Sequence, residues 1–288
     1  MHDIDRTKFP GLSENKLRVL SIFLTIDGEV TAPPFCQGQP SVFIRLGGCG
    51  VHCPWCDTGY SWSFNRGRDL TVEQIMGMVH QLVPPHAVRG NVKATVTGGE
   101  PLHQSGLVFN RLVNSLWNYL EAPVSIETSG THDVGPLIAY RNSMRFPLSI
   151  IADYKMPSSG VLQGQVSKSI LVDTDDRDAI KFVVASQEEL EDAISVVNVI
   201  RNVYHNPGVR CFVSPVHGGE LTPAAIFHYL KSCRGGWGLT SLGIGVNIQA
   251  HKYIFEESSE KAPSVRFRDE EDRGFDFTKE VPYNEGPQ

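Results

Sequence analysis

Residues 42–56 read Val42-Phe43-Ile44-Arg45-Leu46-Gly47-Gly48-Cys49-Gly50-Val51-His52-Cys53-Pro54-Trp55-Cys56. An apolar run gives way there to glycines and then to thiols. The first five residues show little polar alternation, as in strands covered on both faces within a parallel sheet. The glycine pair ends the strand, and the C-x3-C-x2-C spacing brings three thiolates together from one loop. Such thiolates hold iron-sulfur clusters, and three protein ligands around four irons leave one iron open, by the logic that separates reactive metal sites from closed ones. Thiolates also serve zinc. Structural zinc, with His52 or Cys36 as fourth ligand, and loop cysteines without a metal both stay open on this stretch alone.

Working outward, further strand-type runs fall at residues 18–26, 92–97, 123–127, 148–152, 180–184, 209–213 and 242–248. Helical patterns lie between many of them: 71–83 opening at Thr71, 104–120, 186–203 opening with a capping box at Ser186-Gln187-Glu188-Glu189, and 222–233 opening at Thr222. Strand and helix in this alternation predict βαβ units and a parallel sheet, either a barrel or a doubly wound sheet.

Composition bounds the function. With 288 residues, 41% hydrophobic and 20% charged, the chain can bury a large core, and wholesale disorder is excluded. The net charge of −6 argues against a broad nucleic-acid footprint, which needs a basic surplus. No run approaches the roughly 20 apolar residues of a membrane span, and the amino terminus lacks the pattern of a signal peptide; a cytoplasmic protein is expected. Of six cysteines, Cys49, Cys53 and Cys56 crowd together, which points to metal rather than disulfides. Cys211 and Cys233 read as packing residues, as do Met76 and Met78, and His80 and His228 read as surface or satisfied core residues.

The other polar motifs also follow directly on strands. Thr97-Gly98-Gly99-Glu100-Pro101 follows 92–97, Glu127-Thr128-Ser129-Gly130-Thr131 ends the next, and Asp153-Tyr154-Lys155 the one after. In a parallel barrel the segments after the strands share one rim, where active sites are built, so these clusters predict one pocket. The glycine pair lets backbone approach a ligand closely, and Glu100 can receive an ammonium group.

These stretches resemble the radical S-adenosylmethionine superfamily, and within it the 7-carboxy-7-deazaguanine synthase family. The resemblance rests on IFLTIDGE (22–29), PSVFIRLGGCGVHCPWCDTGYSW (40–62), TGGEPL (97–102), ETSGT (127–131), DYKMPSSG (153–160), IKFVV (180–184) and IQAHKY (248–253). It implies a partial TIM-like (β/α) barrel, homodimeric, in which Cys49, Cys53 and Cys56 hold a 4Fe-4S cluster whose open iron chelates S-adenosylmethionine. Cleavage of the sulfonium bond would give an adenosyl radical. That radical takes hydrogen from C6 of 6-carboxy-5,6,7,8-tetrahydropterin, the ring contracts, and ammonia leaves. By the same resemblance Trp55, Asp57, Gly98, Gly99, Glu100, Ser129, Asp153, Tyr154 and Lys155 match S-adenosylmethionine contacts. Thr58 matches a Mg2+ ligand, and Ile26, Asp27, Gly28, Glu29, Arg45, Thr97 and His251 match pterin contacts. A reductant such as flavodoxin or ferredoxin is implied as partner. A glycyl-radical-enzyme activase shares the cysteine spacing but leaves IFLTIDGE and IQAHKY unexplained; a zinc-stabilised binding module without catalysis is the alternative of another class.

Three features depart from the family pattern. Asp27 stands where glutamine is usual, replacing an amide that donates and accepts by a carboxylate that only accepts. The loop from Val30 to Gln39 is longer and carries Cys36. The chain also continues past His251-Lys252-Tyr253, where many members end. From Glu256 onward ten acidic and five basic residues make an acidic extension, expected as mobile or loosely docked with an ordered flap as the alternative. The expected division is an N-terminal extension at 1–16, the barrel at 17–255 and the acidic C-terminal extension at 256–288.

Overall fold

The computed structural model describes residues 8–31, 33–86, 90–104, 106–162, 165–233, 242–254 and 274–278. Its strands are β1 (Lys16–Ile26), β2 (Pro40–Leu46), β3 (Arg68–Thr71), β4 (Lys93–Gly98), β5 (Val124–Thr128), β6 (Leu148–Lys155), β7 (Ala179–Val184), β8 (Arg210–Pro215), β9 (Ile244–Val246) and β10 (Gly274–Asp276). Between them run α1 (Val72–Leu82), α2 (Leu107–Leu120), α3 (Gly135–Met144), α4 (Ser169–Val172), α5 (Gln187–Asn202), α6 (Pro223–Ser232) and α7 (Ala250–Ile254). One sheet of order β10-β1-β2-β4-β5-β6-β7-β8-β9 contains them all, with β3 also paired to β1. From β2 to β9 every pairing is parallel, whereas β1 is antiparallel to β2, β3 and β10. This is the expected α/β partial barrel.

The parallel strands are buried along most of their length, as their unalternating sequences require. Helix α2 shows the covering geometry: Phe109, Leu112, Val113, Leu116 and Leu120 are buried and recur at helical spacing. Thr71 caps α1 with a full capping box to Gln74, and Thr222 caps α6 through Ala225 N. The box expected at Ser186 is only half formed. Ser186 Oγ accepts from Glu189 N, but the Glu189 carboxylate turns away to Ser158 N at 2.6 Å and Ala185 N at 2.7 Å. Tertiary donors outcompete the local one there.

Residues before 16 and beyond 255 make contacts with the barrel. Phe9 is buried against Phe64, with ring centroids 5.0 Å apart, and Pro10 O accepts from the buried Arg18 guanidinium at 3.0 Å. Within the acidic extension, β10 pairs with Ser21–Phe23 of β1 and Phe277 enters the core. Most of the remainder of that extension lies outside the described residues. No helix of the described residues is long and apolar enough to cross a membrane.

Candidate active site

At the carboxyl ends of the parallel strands a cavity of about 240 Å³ opens. Its wall is built from the loops that the sequence places after β2, β4, β5 and β6, closed by residues from β7, β8, α7 and the end of β1. Cys49, Cys53 and Cys56 line it together with Trp55, Asp57, Thr58, Gly98, Gly99, Ser129, Asp153 and Lys155. Ile26, Asp27, Gly28, Glu29, Arg45, Thr97 and His251 line it too. Of the expected residues, Glu100 and Tyr154 are absent from the lining. Tyr154 packs outward on Phe182. Glu100 is fully buried, and its carboxylate accepts from Leu102 N at 2.9 Å, Thr128 Oγ1 at 2.8 Å, Ser129 N at 2.6 Å and the Ser129 hydroxyl. With those acceptor sites filled, Glu100 ties the loop after β4 to the loop after β5.

The two glycine motifs pack on each other. A side chain at Gly98, which sits at φ +139°, would run into the Leu46 backbone, and one at Gly99 would strike Gly48 O. Glu100 N donates to Gly48 O at 2.8 Å and Gly99 N to Leu46 O at 3.0 Å. The glycines thus let backbone approach backbone, which fixes the cysteine loop against the end of β4. On the far side Trp55 Nε1 donates to Ser158 Oγ at 3.3 Å, anchoring the same loop beyond β6.

The thiols fit an iron-sulfur cluster. All three cysteines are unpaired in disulfides and share one cavity wall. Burial pushes the Cys49 thiol up and the Cys53 thiol up to about 11, despite Lys155 nearby. A bound metal's own charge is what favours the ligating thiolate form. The fourth ligands that zinc would need point elsewhere: His52 packs on Trp62 with ring centroids 4.9 Å apart, and Cys36 is exposed and outside the lining.

The remaining wall is a lattice of charges that the sequence did not reveal. Lys181 Nζ lies 2.5 Å from Glu29 Oε2 and 3.2 Å from Asp153 Oδ1, and Lys155 Nζ lies 2.7 Å from Asp153 Oδ2. Burial alone would raise the Asp153 carboxyl, but Lys155 and Lys181 hold it below the usual range. Burial disfavours both ammoniums, yet Asp153 and their other partners hold both above the ordinary lysine value. Glu29 is further held by Gln249 Nε2 at 2.8 Å and Asn247 Nδ2 at 3.2 Å. Glu127, named only as part of a motif, also faces the cavity. Burial, then the charges of Asp27 and Glu29, push its carboxyl up to about 7. Lysines inside otherwise apolar strands, Lys181 in IKFVV and Lys93 in VKATVT, were the available sequence signal for this lattice.

Arg45 points its guanidinium over Phe23 and Tyr60, 5.9 Å from each ring centre, and its buried Nε has no hydrogen-bond partner among the described residues. Asp57 is held below the usual carboxylate range: burial acts upward, but Lys252 at 3.5 Å, Arg45 and His251 outweigh it. The His251 ring leaves no room for a side chain at Gly28, and Ala250 N donates to Gly28 O at 2.8 Å. This contact joins the end of β1 to α7. Burial lowers the His251 pKa against the pull of Glu29 and Asp57.

A family model described as "4Fe-4S single cluster domain" matches residues 37–132, the span that holds all three cavity cysteines. The chain is 30% identical over 239 residues to a 7-carboxy-7-deazaguanine synthase of Clostridium acetobutylicum, covering 83% of this chain and 96% of that protein. The chain belongs to the 7-carboxy-7-deazaguanine synthase family. A second family member, from Methanospirillum hungatei, is 30% identical over 245 residues, covering 85% of this chain and 88% of that one. The crystal structure of QueE from Escherichia coli superposes with a TM-score of 0.58 at 20% identity, covering 87% of this chain and all of that one. That likeness bears on the fold.

Proposed function

We propose that this chain is a radical S-adenosylmethionine enzyme that contracts the ring of 6-carboxy-5,6,7,8-tetrahydropterin to 7-carboxy-7-deazaguanine with loss of ammonia, in the formation of queuosine-type precursors. The observation that carries the reading is the meeting, in one cavity, of the three-cysteine loop with Glu29, Arg45 and His251. An activase of glycyl radicals would leave those three residues without a task.

Cys49, Cys53 and Cys56 would hold the 4Fe-4S cluster, which when bound supplies the electron that splits the cofactor's sulfonium bond. The protein's share is orientation and exclusion of water. Gly98 and Gly99 offer backbone against S-adenosylmethionine, and Ser129, Asp153 and Lys155 offer polar groups to its carboxylate, ammonium and ribose. Trp55 and Asp57 border the same end. Glu100 and Tyr154 support that site from behind.

On the substrate side the buried Nε of Arg45, unpartnered among the described residues, suits a carboxylate, and Glu29 and Asp27 suit the N–H groups of the pterin's amino-pyrimidine edge. Thr58 would offer its hydroxyl to a Mg2+ ion, a hard cation suited to oxygen ligands. Glu127 can hold a proton near neutral pH and pass it to a departing amine. Family resemblance supports a homodimer in the cytoplasm, reduced by a flavodoxin or ferredoxin.

The test is anaerobic incubation of reconstituted protein with reductant, S-adenosylmethionine and the carboxytetrahydropterin. A product lighter by one ammonia is expected. Cofactor cleavage with the pterin recovered unchanged would refute the substrate assignment.

A further inference from the structure

Lys93 lies directly behind the cavity wall formed by Asp27, at the start of β4, with no accessible surface. Its ammonium pairs with Asp27 Oδ2 and donates to Thr95 Oγ1 at 2.7 Å and Ser125 Oγ at 3.2 Å, so its three protons meet three acceptors. Asp27 Oδ2 also accepts from Thr31 Oγ1 at 2.9 Å and Thr95 Oγ1 at 3.2 Å. Thr95 Oγ1 in turn contacts Ser41 Oγ at 2.9 Å. The other carboxylate oxygen, Oδ1, has among the described residues one distant donor, Glu29 N at 3.5 Å. Asp27 is itself 1% exposed and lines the cavity.

Stability does not account for this pair. Two buried charges are costly to desolvate, and apolar side chains of similar volume would plug the barrel at least as well. What the pair does supply is asymmetry within a residue that lines the cavity: Oδ2 is consumed by Lys93, Thr31 and Thr95, and Oδ1 keeps open lone pairs.

We propose that Lys93 is a positioning residue that makes Asp27 the specificity-determining acceptor of this pocket, which takes a heterocycle edge presenting N–H donors and rejects one presenting a lone pair. The proposal rests on the reading of the cavity as a pterin site and adds a residue that does not touch the substrate. The acceptor-only carboxylate of a residue 1% exposed would meet a ligand lone pair with repulsion on one side and an unmade bond on the other. Sites of this kind discriminate strongly against analogues that lack the matching donor.

Equilibrium binding to cluster-loaded protein tests it, with carboxytetrahydropterin and its 2-desamino analogue, which lacks the exocyclic donor, as the two ligands. Wild type is expected to bind the analogue about 10- to 100-fold more weakly, the size of one charge-assisted hydrogen bond. Lys93→Met alone strands a buried anion and can fail to fold, so the deciding variant is Asp27→Leu/Lys93→Met, in which the pair is apolar and the acceptor is gone. Its preference is expected to fall to less than about threefold, with iron content and melting temperature showing that it folds. Equal affinity of wild type for the two ligands, or an undiminished preference in the double variant, overturns the proposal while leaving the pterin reading intact. Failure of wild type to bind the pterin at all, with cofactor cleavage preserved, overturns that reading and the proposal with it.

Discussion

The ammonium of Lys155 lies 5.4 Å from the ring centre of Trp55. Trp55 belongs to the cysteine loop and Lys155 ends β6, so a cation–π contact spans two sides of the barrel mouth between the thiols and Asp153. Lys155→Met removes that contact and leaves Asp153 with Lys181 alone. S-adenosylmethionine should bind about tenfold more weakly, as for loss of one charge-assisted interaction, while the iron content of the reconstituted protein stays that of wild type. Equilibrium binding of the cofactor, measured beside an iron assay, separates the two.

Replacing a proposed cluster ligand should act differently. Cys53→Ala deletes one of three thiols on a fixed loop, and the hydrogen bonds of Gly48, Cys49 and Glu100 that hold the loop do not involve that side chain. The variant should fold with near wild-type secondary structure yet lose the brown chromophore and all cofactor cleavage. Retained chromophore after anaerobic reconstitution would contradict the assignment of Cys53.

Much of this architecture could be read from residue order. The parallel strands and α1, α2, α5 and α6 announced themselves because apolar runs and helical periodicity coincide with burial. Helix α3 did not, because the large side chain it buries deepest is Arg141, which meets Asp178 Oδ1 at 2.6 Å and Asp175 Oδ2 at 2.9 Å. A buried charge reads as a surface one until its partners are known. Strand β10 lies within a charged stretch, and only its pairing with β1 makes it a strand. For the site, each motif after a strand was legible because it is local. Lys181 and Glu29 are 152 positions apart, and their meeting is a consequence of strand order rather than of any motif.

Arg18 gives a stability prediction remote from the chemistry. It is fully buried, pairs with Asp69 and donates to Phe64 O at 2.6 Å and Pro10 O at 3.0 Å. Its backbone N and O both bond Gln104, which also donates to Gly47 O at 2.9 Å. The side chain therefore pins residues 10, 64 and 69 behind the glycine pair. Arg18→Met should cost about 3–5 kcal/mol in denaturant unfolding, the usual penalty for stranding one partner of a buried pair. Asp69→Asn should cost less, because the two backbone carbonyls still receive the guanidinium.

Arg45→Ala should uncouple the two halves of the cavity. Its guanidinium lies over the rings of Phe23 and Tyr60, and among the described residues its side chain makes no hydrogen bond to the three cysteines. The variant should raise KM for the carboxytetrahydropterin at least about tenfold, while cofactor cleavage without pterin persists. Equal loss of both activities would argue against a carboxylate-binding role.

Glu127 links the pocket's charge to pH. Its carboxyl is raised from the usual 4.5 to about 7, first by burial and then by Asp27 and Glu29, with Lys181 and Thr97 acting the other way. Between those two values the folded protein holds a proton that the unfolded chain has released. The stabilisation is therefore complete below about pH 4.5 and is lost as pH rises through about 7. A neutral amide cannot titrate, so Glu127→Gln mimics the protonated form at every pH. Unfolding of the apoprotein should show the variant matching wild type near pH 5 and exceeding it by about 2 kcal/mol at pH 8. A constant difference across that range would mean that Glu127 is already ionised at pH 5 in the fold, and would remove it as a proton carrier at neutral pH.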